Sequence, residues 1–97
     1  MKVKTKSGFV IDIDEGKVAE WTFVDNLVDM ESADQSRRIV ATRNAIKYLL
    51  GEDGTEKLAE HVKNDKGIRS FGLMLEEFKE IMALLGEKQK KSSSSPE

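Results

Sequence analysis

The sequence predicts a mainly α protein, a small helical domain of about four helices with a short N-terminal β-hairpin and a disordered C-terminal tail. Three stretches predict it. In residues 70–86, Phe71, Met74, Leu75, Phe78, Ile81, Met82 and Leu85 recur at steps of three and four, the period of one helical face. Near the start, Phe9, Ile11 and Ile13 alternate with Val10, Asp12 and Asp14, the period of a half-buried strand. The segment EKQKKSSSSPE carries charge, a serine run and the only proline, so it has nothing to bury. Residues 1–86 therefore read as one domain and 87–97 as a polar tail.

The N-terminal elements come first. The strand signal covers Val3 to Asp14, with Ser7-Gly8 placed as a two-residue hairpin turn because glycine tolerates positive φ. An isolated hairpin is weak in water, so this one must pack on helices or pair with another chain, and its edge offers a route to a homo-oligomer. Asp14-Glu15-Gly16 closes the strand and opens a helix from about Lys17 to Met30. Val18, Trp21, Val24 and Val28 form its expected core stripe. Phe23, Leu27 and Met30 widen the apolar arc beyond what one buried face requires. That surplus has two explanations: burial on two sides, or an interface.

The polar break ESADQS leads into a helix from Ser36 to Leu50, with Ile39, Ile46, Leu49 and Leu50 inward. Arg37, Arg38, Arg43 and Lys47 do not share one stripe, so a solvated face is expected. Gly51-Glu52-Asp53-Gly54 ends that helix. Thr55 caps a short third helix to Lys63 that buries Leu58, Ala59 and Val62. Asn64-Asp65-Lys66-Gly67 is a turn. Ser70 then caps the last helix, and Gly86 is placed to end it. Leu73 and Leu84 project from the side opposite its main stripe, where a helix buried on one face has no need of leucine.

Composition narrows the function. With 97 residues the chain is one small domain. A formal charge of -2 argues against a dedicated nucleic-acid binder, whose affinity rests on clustered Lys and Arg. The absence of cysteine removes thiolate chemistry and Cys-based zinc sites, and fits a reducing compartment. No run is long and apolar enough for a signal peptide or a membrane span, so a cytoplasmic protein is expected. His61 is the only histidine, and it is expected on the helix surface rather than in a nucleophile–base pair. Asp12 and Asp14 open no calcium loop, because the sixth and twelfth positions hold Lys17 and Phe23. No catalysis, cofactor or metal is expected. A helix-turn-helix over Ile39 to Val62 would want a basic second helix, but TEKLAEHVK holds two glutamates and two lysines.

Taken in order, these features resemble a known family. The opening TKSGF and its alternating acidic strand are similar to the start of the tail assembly chaperones of long-tailed, siphovirus-type bacteriophages and prophages. EWTFVDNLVDME resembles the aromatic, leucine-rich helix of that family. YLLGEDGTEKLAEHVKNDKG resembles its Leu-Leu-Gly, short helix and acidic-Gly turn, and ALLGE closes the last helix. GIRSF lacks the valine-proline step often seen there, and the second helix is more basic than the pattern. The resemblance spans essentially the whole chain. It implies a non-catalytic protein of the host cytoplasm, absent from the finished virion. Such a protein holds the tape measure protein in solution and helps bring the major tail protein to it, with no nucleic acid or membrane as partner. Met30, Met74 and Met82 would then be deformable contacts. The candidate partner-binding residues are Trp21, Phe23, Leu27, Leu73 and Leu84, and a general protein–protein adaptor is the alternative role.

Overall fold

A computed structural model describes the backbone of residues 1–92 and the side chains of residues 1–87. The chain is mainly helical with a short N-terminal antiparallel hairpin. Strand β1, Lys2–Lys4, pairs with β2, Val10–Asp12, in the register Val3 opposite Ile11. Thr5 and Phe9 continue the pairing, so the loop is three residues, Lys6-Ser7-Gly8, rather than the expected two. Gly8 supplies the positive φ of 95° that such a loop requires at its last residue. As the alternation predicts, Val3, Phe9 and Ile13 point into the core.

A 3₁₀ turn, Glu15–Ala19, follows, and helix α1 spans only Trp21–Asp29. The expected continuous helix from Lys17 is broken at Glu20. This residue stays extended, and its carboxylate accepts from the N–H groups of Thr22 and Phe23 at 2.8 and 3.2 Å. It therefore acts as an N-cap, satisfying two first-turn donors that have no intrahelical partner. Helix α2 runs Gln35–Val62, capped by Asp34 through Ser36 N–H and Arg37 N–H. As expected, the first helical run ends at GEDG, and a second, shorter run follows it to Val62. Gly51 alone leaves helical geometry (φ 76°, ψ 174°), and α2 bends there into two arms. Thr55 sits inside the second arm, its hydroxyl donating to Gly51 C=O at 2.7 Å.

Asn64-Asp65-Lys66-Gly67 forms the expected turn, with the Asn64 side chain accepting from Lys66 N–H and Ile68 N–H. Helix α3 spans Phe71–Ser92, and Ser70 Oγ accepts from Leu73 N–H at 3.2 Å, as a cap should. The helix passes through Gly86 and does not stop there, so residues 87–92 of the expected tail are helical; residues 93–97 lie outside the described residues. A glycine inside a helix costs only about 1 kcal/mol relative to alanine, too little to impose an end.

Helix α1 packs across α2, and α3 packs on α2 and β1. One core joins them: Val3, Phe9 and Ile13 of the hairpin, Phe23 of α1, Ile46, Leu49 and Leu58 of α2, and Phe78, Ile81 and Leu85 of α3. The Phe23 ring lies 5.9 Å from that of Tyr48 and meets Phe78 edge-on at 6.4 Å. Edge-to-face contact sets the positive rim of one ring on the negative face of the other.

Candidate functional site

Two grooves lie along the seam between α2 and the N-terminal half of α3, the second of them reaching the second arm of α2. The first, a cavity of 370 Å³, is lined by Met30, Glu31, Gln35, Arg38, Ile39, Thr42, Phe71, Leu75 and Lys79. The second, of 270 Å³, is lined by Arg43, Ile46, Lys47, Thr55, Glu56, Ala59, Arg69, Phe71 and Met74. Phe71 lines both, so the two lie end to end along the seam and are taken together as one trough. Its walls follow from helical periodicity. Ile39, Arg43, Ile46 and Lys47 fall along one side of α2, and Phe71, Leu75 and Lys79 repeat every four residues on α3.

The trough stays open because α3 is buried unevenly. Phe78, Ile81 and Leu85 are sealed in the core, whereas Phe71 is 41% exposed and Met74 and Leu75 are half-buried. Ile39, expected inward, is 43% exposed on the facing wall. The entry to α3 is held by Arg69, which pairs with Glu56 and with Glu60 at 3.4 Å, while Lys63 reaches Glu60 at 2.7 Å. The Lys63 hydrogen bond, and the charges of Lys63 and Arg69, hold the Glu60 carboxyl below its ordinary value; hydrogen bonding to Glu56 raises Arg69.

The five expected partner contacts scatter. Phe23 is fully buried and is a core residue, not a docking residue. Trp21, expected in the core stripe of α1, is 78% exposed, and Val24 and Val28 of the same stripe are exposed beside it. The helix is rotated relative to that expectation: Phe23, Leu27 and Met30 face inward. Two apolar stripes competed for one buried side, and Trp21 and Phe23 lie about 200° apart around the helix. The stripe carrying Phe, Leu and Met won. Leu27 and Leu84 are partly buried against the core. Leu73 is exposed as expected, but Leu84 on the same side of α3 is covered where the hairpin meets that helix, beside Val3, Lys4 and Val10. Of the expected methionine contacts, Met30, Met74 and Met82 all pack on the core, and Met30 and Met74 also line the trough.

A second constellation escaped sequence reasoning. At the hairpin tip, Ser7 Oγ lies 2.9 Å from His61 Nε2 and donates to Glu77 Oε2 at 2.8 Å, and Lys6 N–H donates to Glu80 at 2.7 Å. His61 also packs its ring 5.3 Å from that of Phe9. Thr5 Oγ1 lies 3.1 Å from the same serine oxygen. The carboxylate touches the serine instead of orienting the histidine, as a nucleophile–base pair requires. The trio ties the hairpin tip to α2 and α3. Glu77 Oε1 is buried with no partner among the described residues.

Among the described residues, no cluster of three or more His, Cys, Asp or Glu side chains could hold a metal ion, and no helix is long and apolar enough to cross a membrane. Comparison with family models, curated proteins and solved structures gives no match to this chain.

Proposed function

We propose that the protein is a non-catalytic chaperone for a helical client, of the tail assembly type its sequence resembles, and that the α2–α3 trough is where the client docks. In this reading the client is the tape measure protein, kept soluble until the major tail protein is brought to it in the host cytoplasm. The observation that carries it is the open apolar seam: Ile39, Phe71, Met74 and Leu75 face a trough that no other part of the described chain fills. An amphipathic helix laid in a groove between two helices is an established recognition mode, and methionines suit it because they repack around different side chains.

Co-expression with a tape measure protein from the same gene cluster, followed by affinity capture, tests this. Wild type should retain the client, a Phe71→Asp/Leu75→Asp variant should lose it, and Leu73→Asp, on the outer face, should keep it. Loss in the Leu73 variant alone would move the site to the outer face. A folded wild type that captures nothing would end the chaperone reading.

A further inference from the structure

We propose that the occupant of the trough is an amphipathic helix of about three turns whose apolar stripe is flanked by aspartates and glutamates. The inference rests on the trough being the docking site and adds the chemistry of what it takes. Its length follows from α2: Gln35 to Lys47 covers about 18 Å at 1.5 Å per residue, the length of about twelve helical residues. A helix fits better than an extended segment. Both walls are helices whose backbone groups are already paired, so an extended peptide would find no ladder to join, whereas a helix satisfies its own.

Charge selects the occupant further. Five cations line the trough, Arg38, Arg43, Lys47, Arg69 and Lys79, against two carboxylates, Glu31 and Glu56, in a chain whose formal charge is -2. Two of the five are occupied. Arg38 donates to Ser32 C=O and Ala33 C=O, and Arg69 pairs with Glu56 and Glu60. Arg43, Lys47 and Lys79 make no hydrogen bond or ion pair among the described residues. Free positive charge therefore stands on both walls of an apolar floor, Lys79 on α3 and Arg43 with Lys47 on α2. Nucleic acid would use the cations but leave Ile39, Phe71 and Leu75 uncovered, since a phosphate backbone presents no apolar stripe. An acidic amphipathic helix uses both.

Two fluorescein-labelled peptides that share one leucine stripe, one flanked by Glu and one by Lys, test this by anisotropy against the full chain at low and high salt. The Glu peptide should bind about tenfold tighter at low salt, the sum of a few exposed ion pairs, and the gap should narrow as salt rises. The charge reversal Arg43→Glu/Lys47→Glu should exchange the order of the peptides, while Arg43→Lys/Lys47→Arg should preserve it. Circular dichroism checks that each variant is folded, and these side chains are exposed. Equal binding of both peptides, no binding of either, or an order that survives charge reversal would overturn the inference. Tighter binding of a short DNA duplex, lost in the reversal variant, would also overturn it by assigning the rim to phosphate. Capture of the tape measure protein, measured separately, decides the chaperone reading whichever way the peptides fall.

Discussion

The two halves of α3 share one apolar period and have different fates. Phe78, Ile81 and Leu85 are closed over by the hairpin and α2, while Phe71, Met74 and Leu75, one and two turns earlier, look across a trough at Ile39 and Ile46. Nothing in the side chains distinguishes the halves. What differs is the neighbour: the hairpin folds back onto the later turns, through Ser7 to Glu77 and Lys6 to Glu80, and leaves the earlier ones alone. Apolar periodicity thus locates a face that wants covering. Topology decides whether the chain covers it itself.

Truncation should separate the halves most sharply. Phe78→Ala should cost about 3–5 kcal/mol in urea unfolding, as for a buried aromatic, whereas Phe71→Ala should cost about 1 kcal/mol or less while weakening client capture. Comparable losses would mean the trough is closed in solution. Helix α1 offers the same contrast between its sides, with Phe23→Ala as costly as Phe78→Ala. Next, Gly51→Ala should cost about 1–3 kcal/mol, because its φ and ψ belong to a region that side chains avoid. Beyond its chain neighbours and the local helix backbone, no atom lies within 4 Å of the position where that methyl group would sit, so the cost is conformational and a loss near zero would show a straight α2. Ser7→Ala, which unties the hairpin tip from both helices, should cost about 1 kcal/mol. Smallest is Trp21→Ala, expected within about 0.5 kcal/mol, with Trp21 emission quenched by acrylamide as freely as that of a model indole.

The entry to α3 adds a pH test. The folded carboxyl of Glu60 is held below its ordinary value of 4.5, so its contribution is complete above that value and is lost as pH falls through the lowered one. Hydrogen-exchange protection at residues 66–70, taken relative to the intrinsic rate at each pH, should therefore fall below pH 4.5 in wild type and be less sensitive to acid in Glu60→Gln. An unchanged profile in the variant would exclude Glu60 as the fastener of that loop.

Much of the fold was legible in the sequence. The period of two set the inward face of the hairpin, Asn64 to Gly67 marked the turn before α3, and Ser70 marked the start of that helix. Local signals failed where two answers were locally equal. Helix α1 carries two apolar stripes, and only docking on α2 chose between them. Gly51 and Gly86 look alike as helix stops, yet one ends the first arm of α2 and the other is passed through. The candidate site was less legible still. Phe71 and Ile39 read as core because their pattern is a core pattern, and the gap between them is a property of the assembled helices. Ser7, His61 and Glu77 are separated by tens of residues, and no spacing rule joins them.

The hairpin's anchorage has a consequence for the chain during its own synthesis. Lys6 and Glu80 are 74 residues apart. At about 5–20 residues per second, on the order of 4–15 s pass between making the two. The hairpin itself can form in about 1–10 μs, but alone it is marginal. For those seconds Val3, Phe9 and Ile13 emerge from the ribosome ahead of the helix that will cover them. A protein proposed to shelter the apolar segments of another chain begins its life with one of its own in need of shelter.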